Sequence, residues 1–167
     1  MPRPKHLLPI ILMTLLLALS LAACGKKPEH DTGTGTAPSQ SESEKVTRER
    51  VYEGLIDQLE KKGYSVVEEE VGPDLLQGDR RWLILDKGEN LTVYLYEDQA
   101  AMEEDASYVS KSGLSYHNGS QSAKIQWVSD PHFFKAENMI VLYVGQNSEL
   151  LTVLEAVMGR QFAGLSS

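Results

Sequence analysis

Cysteine is all but missing from this chain: one residue, Cys24, among 167. A single thiol excludes an internal disulfide and every zinc site built on paired cysteines, so the folded part must stand on its core. Positive charge is scarce too, with 16 Lys and Arg against 24 Asp and Glu, a formal −8. An acidic chain is repelled by phosphate backbones and anionic lipid surfaces, so nucleic acid is not expected as a partner. The nucleophile pattern Gly-x-Ser-x-Gly does not occur. His117 and His132 fit no standard zinc spacing, even with Asp130 beside them. The runs Glu68-Glu69-Glu70 and Glu103-Glu104-Asp105 lack the Asp-x-Asp-x-Asp-Gly pattern of a calcium loop and read as solvated strand and helix faces. No metal and no cofactor is expected.

One long apolar run is present. After Arg3 and Lys5 the chain is apolar from Leu7 to Ala23, with Thr14 and Ser20 as its polar side chains. A basic start, an apolar core and small residues at the end have the order of a secretory signal. The run is near the shortest length that spans a bilayer, so an uncleaved anchor helix is the competing reading. The flanks argue against it. Leu21-Ala22-Ala23-Cys24 resembles the lipobox of bacterial lipoproteins. The resemblance implies a diacylglyceryl thioether on Cys24 and cleavage between Ala23 and Cys24. At about 0.8 kcal/mol per buried methylene, two or more acyl chains hold a protein firmly on a membrane. Residues 1–23 would then be lost with Arg3 and Lys5, leaving 14 basic against 24 acidic residues, a formal −10. Gly25 rather than Asp follows the cysteine, which by the same resemblance implies the outer membrane in a cell with two membranes. In a single-membrane cell the resemblance implies the outward face of the plasma membrane.

Residues 24–45 read as the lipidated cysteine and a disordered tether. From Gly25 to Lys45 the one apolar side chain is Ala37, too little to offset the entropy of ordering. A flexible segment of this length reaches about 25 Å. Its Gly-Thr-Gly-Thr has neither the preceding strand nor the Gly-Lys-Ser/Thr of a phosphate loop.

Residues 46–167 suffice for one domain. Thr47 is a plausible N-cap, and Val51, Tyr52, Leu55, Ile56 and Leu59 recur at helical spacing until Gly63. Strands are expected at 64–70, 82–85 and 91–96, with Leu91, Val93 and Leu95 on one face. A helix with an acidic first turn follows from Glu97 to about Ser110, then a polar loop, a strand at 124–128, a turn at Ser129-Asp130-Pro131, and a strand at 139–144. The last helix starts near Asn147-Ser148 and ends towards Gly159. The order α-β-β-β-α-β-β-α predicts an α+β fold, a two-layer sandwich with helices packed on one face of a largely antiparallel sheet. Two strand-cap-helix stretches, 91–109 and 139–157, echo each other weakly and raise the hypothesis of a duplicated ββα unit.

The best candidate binding loop lies within "IQWVSDPHFFK", where Trp127, Asp130, His132, Phe133 and Phe134 bring aromatic, acidic and imidazole groups close in sequence. The plainer reading is a strand ending in a turn fixed by Pro131, with the aromatics packed inward. Together with the lipobox and tether, Trp127, Pro131 to Phe133, Ile140 to Gly145 and Phe162 to Gly164 resemble elements shared by a group of small uncharacterised bacterial lipoproteins. That resemblance implies a repeated domain and no mechanism. The function expected is a non-enzymatic binding or accessory module in the bacterial envelope, held by lipid on Cys24 and facing an envelope protein or a small-molecule ligand. The alternative is a surface enzyme or enzyme accessory using the Asp130/His132 loop, with His132 as general base.

Overall fold

The computed structural model describes residues 40–165, with side chains from Arg48 onward. The signal segment 1–23, Ala23 and Cys24, and the tether to residue 39 lie outside the described residues. The chain runs α1 (Gln40–Lys61), β1 (Val66–Glu70), β2 (Asp79–Leu85), β3 (Asn90–Leu95), α2 (Gln99–Ser107), β4 (Ser115–His117), β5 (Ser122–Lys124), β6 (Pro131–Ala136), β7 (Met139–Val144), α3 (Ser148–Met158) and β8 (Ala163–Gly164). This is the expected α+β class with its expected order of helices and principal strands. The short strands β4, β5 and β8 are added to it.

Local chemistry sets the helix ends. Gly63, at φ 89°, closes α1 while Tyr64 N–H returns to the Leu59 carbonyl at 3.1 Å. Asp98 caps α2 through Ala101 N–H at 2.8 Å, and Asn147 caps α3 through Glu149 and Leu150 N–H at 3.0 and 3.2 Å. The start of α1 differs from expectation. It is helical from Gln40 rather than from a cap at Thr47, so residues 40–45 of the expected tether belong to the helix.

Six strands form one sheet in the order β1-β2-β3-β7-β6-β8, every neighbour antiparallel. Alternation along β3 sends Leu91, Val93 and Leu95 to the face that carries α1 and α3, where they meet Leu55, Leu59, Leu150 and Leu154. Tyr94, and Tyr96 just past the strand, belong to the opposite face, with Met102 and Ala106 of α2 and Tyr116 of the β4-β5 hairpin. Two helices thus share the expected layer, and α2 with the small hairpin adds a second, partial cover. The echo between β2-β3-α2 and β6-β7-α3 is not a rotation-related repeat. Their helices lie on opposite faces and their hairpins flank the antiparallel β3-β7 pair on opposite sides, so the two units have opposite hand.

The second half departs from expectation at one strand. Residues 125–130 form no strand, and the strand is β6 instead, with Pro131 as its first residue. Proline is tolerated there because the first strand position can do without a ladder donor. Strand β6 is buried at Pro131 to Phe134 and so shows no polar alternation. The polar loop also contains a hairpin. Asn118-Gly119 turns β4 into β5, with Gly119 at φ 85° and Asn118 Oδ1 accepting from Gln121 N–H at 2.7 Å.

Candidate functional site

The expected loop residues do not converge. His132, Phe133 and Phe134 are consecutive on β6, so Phe133 enters the core under α2 while Phe134 enters the core under α1 and α3. Trp127 is half-buried, donates Nε1–H to the Gly113 carbonyl at 2.8 Å and meets Phe133 edge-on at 6.1 Å. Asp130 accepts from Gln146 Nε2 at 2.9 Å. His132 is 1% exposed, with Nδ1 2.8 Å from Gln161 Oε1 and Nε2 3.1 Å from the Gly145 carbonyl. Its ring stacks on Tyr143. Both ring nitrogens are engaged by the protein, so His132 does not stand as an exposed base. His117 is exposed on β4. Among the described residues no three of His, Cys, Asp and Glu gather as a metal site, and no helix is long and apolar enough to cross a membrane.

A cleft of about 750 Å³ opens elsewhere, between the 71–80 segment, the end of β3 and α2. Its foundation is a buried carboxylate. Asp105 is 3% exposed and accepts from Tyr96 Oη at 2.7 Å, Tyr116 Oη at 2.8 Å and Gln77 N–H at 2.7 Å. No cation pairs with it among the described residues. A charged group in a dry site is tolerable when several donors replace its water. The same bonds act on the tyrosines. Burial, then the bond to Asp105, pushes the Tyr116 hydroxyl up to about 12 and moves Tyr96 further in the same direction. Tyr94 alongside is raised by burial and then by Asp74, to which its hydroxyl donates at 3.0 Å.

Gly78 closes the floor. A Cβ there would sit 2.9 Å from Tyr94 Cβ and from the Tyr96 ring, a separation that side-chain carbons do not tolerate. The walls carry guanidinium groups. Arg48 is 14% exposed and donates Nη1–H to Glu97 at 2.8 Å, while Glu97 is 67% exposed. Arg80 donates Nη1–H to the Gly72 carbonyl at 3.0 Å, and its Nε lies 3.1 Å from Asp74 Oδ2 without hydrogen-bond alignment. The Nε–H groups of Arg48 and Arg80 are buried and find no acceptor among the described residues. Half-buried Tyr108 lines the same cleft, its hydroxyl donating to Glu104 at 2.8 Å.

Sequence reasoning missed this site because it read Glu103-Glu104-Asp105 as one solvated face. Glu103 and Glu104 are exposed, but Asp105 is not. The available signal was the spacing of Met102, Asp105, Ala106 and Val109, which puts the aspartate on the buried stripe.

The chain matches no family model, no curated protein and no solved structure.

Proposed function

We propose that the protein is a lipid-anchored, extracytoplasmic binding module of the bacterial envelope whose ligand site is the cleft beside α2. The observation that carries the binding role is the cleft itself. It is concave and of mixed polarity, floored by a satisfied Tyr96-Asp105-Tyr116 network, and walled by Arg48, Arg80 and the half-buried ring of Tyr108. Sites of this kind are rigid at the base and set a few polar groups among apolar ones at the wall. Support for the anchor comes from the apolar run ending in Leu21-Ala22-Ala23-Cys24.

Two measurements test the two halves. Metabolic labelling with a fatty-acid analogue in a bacterial host should mark the native chain and not Cys24→Ala, and a native chain that takes up no label refutes the lipid anchor. In-cell crosslinking with mass spectrometry, native against Cys24→Ala, should enrich a discrete envelope component with the anchored form if the ligand is displayed on a macromolecule.

A further inference from the structure

The two edges of the main sheet differ. Strand β8 is two residues long and offers little to pair with, whereas β1 at the other edge has five residues. Strand β1 pairs with β2 alone and lends no residue to the cleft beside α2. The bonds at the strand ends fix which of its backbone groups are free. Asp86 N–H donates to the Ser65 carbonyl at 3.2 Å, and Leu85 N–H to the Glu89 carbonyl at 2.8 Å. Bonding towards β2 therefore falls on Ser65, Val67 and Glu69, and alternation turns the N–H and C=O groups of Val66, Glu68 and Glu70 outward. Among the described residues those outward groups meet no backbone partner.

The sheet face beside this edge is open as well. Val67 is 58% exposed and its ladder partner Ile84 is 37% exposed, and the apolar cluster under α2 takes no residue from β1 or β2. Charge completes the surface. Glu68 is held by Arg81 and Tyr52, but Glu69 and Glu70 are exposed with no cation beside them among the described residues. These glutamates keep out a second copy, since antiparallel pairing of two β1 strands about Glu69 sets like charges opposite each other at Glu68, Glu69 and Glu70. The same charges favour a basic strand. The ladder also dictates that strand's pattern. Its residue opposite Val67 packs on an apolar pair, while those opposite Glu69 and Glu70 face carboxylates on the two sides of the sheet.

We infer that β1 takes up an extended basic segment of a partner protein as an added strand, with an apolar side chain on Val67 and Ile84 and Lys or Arg beside Glu69 and Glu70.

The test is fluorescence anisotropy with the full chain in detergent micelles. The probe is a labelled, end-blocked peptide, Thr-Lys-Lys-Thr-Val-Thr, which fits the edge antiparallel. One comparison is the same peptide N-methylated at its first lysine and middle threonine, the residues opposite Glu70 and Glu68, which keeps the charge and loses the strand donors. The other is Thr-Glu-Glu-Thr-Val-Thr. Saturable binding of the lysine peptide, weakened about tenfold (about 1.4 kcal/mol) both by N-methylation and by Glu69→Lys with Glu70→Lys, is the expected result. Equal binding of the N-methylated peptide means charge attraction without an added strand and overturns the inference. Binding that the double lysine variant leaves unchanged, or that the glutamate peptide matches, lies off this edge and also overturns it. Binding that emerges only with Lys26→Glu and Lys27→Glu means that the chain's own tether fills the edge, which overturns an external partner. No binding of the lysine peptide up to about 1 mM, where about 4 kcal/mol of binding free energy would register, overturns the docking edge itself.

Discussion

Tyr96 and Asp105 meet at 2.7 Å, the hydroxyl at the end of a central strand donating to a carboxylate that α2 carries into the core. The bond ties the helix to the sheet, and with Tyr116 and Gln77 it makes one aspartate the junction of four segments. The consequences of disturbing it are measurable.

Asp105→Ala removes the acceptor of two buried hydroxyls and of the part-buried Gln77 N–H. Each buried donor left unsatisfied costs about 1–3 kcal/mol, so a loss of about 3 kcal/mol or more is expected, read as a fall in the urea midpoint. Asp105→Asn keeps one acceptor oxygen and should fall between native and alanine. An alanine variant as stable as the native chain would mean that water replaces the network at no cost.

Alkaline pH attacks the same place. A hydroxyl that is harder to ionise folded than unfolded contributes stability that is complete below the ordinary tyrosine value near 10 and is lost as pH rises towards the folded value. For Tyr116 that window runs from about 10 to about 12, and Tyr96 and Tyr94 extend it upward. Unfolding followed by circular dichroism should therefore begin above about pH 10, with phenolate absorbance of the buried tyrosines rising in the same transition. Phenolate formation well before any loss of structure would contradict the buried network.

Gly78→Ala inserts a methyl group where Tyr94 and Tyr96 already stand 2.9 Å away. Overpacking of this kind costs about 1–3 kcal/mol, and the melting temperature should drop accordingly. Gly72→Ala in the same segment meets nothing within 4 Å and serves as the control, with little change expected.

His132 and His117 should differ in reactivity. Diethyl pyrocarbonate acylates accessible imidazoles. His117 is exposed on β4, whereas His132 is buried with both nitrogens engaged. Peptide mapping should show rapid modification at His117 and slow modification at His132 until denaturant is added. Fast labelling of both would place His132 at an open surface and revive it as a base.

Much of the secondary structure was legible because it is local. Asp98 and Asn147 are caps that bond within three residues, Gly63 ends α1 through its positive φ, and the alternation of Leu91, Val93 and Leu95 marks a sheet face. Strand β6 was not legible. Burial on both faces erases the period-two pattern, and Asp130-Pro131 reads locally as a turn whether or not a strand starts there. The Trp127 to Phe134 group looked like a site because its residues adjoin in sequence. On a strand, adjacency sends neighbours to opposite faces, which is why Phe133 and Phe134 lie in different cores.

The sequence by itself determined the helices, most of the strands, the acidic balance and the apolar run closing on Cys24, since each depends on contacts or composition within a few residues. Only the tertiary structure decided that β3 lies beside β7, that α2 crosses to the face away from α1 and α3, and that Asp105 is a buried acceptor rather than a solvated charge. The reason is physical. The state of that carboxylate is set by donors 9, 11 and 28 residues distant in the chain, and no local pattern encodes their arrival.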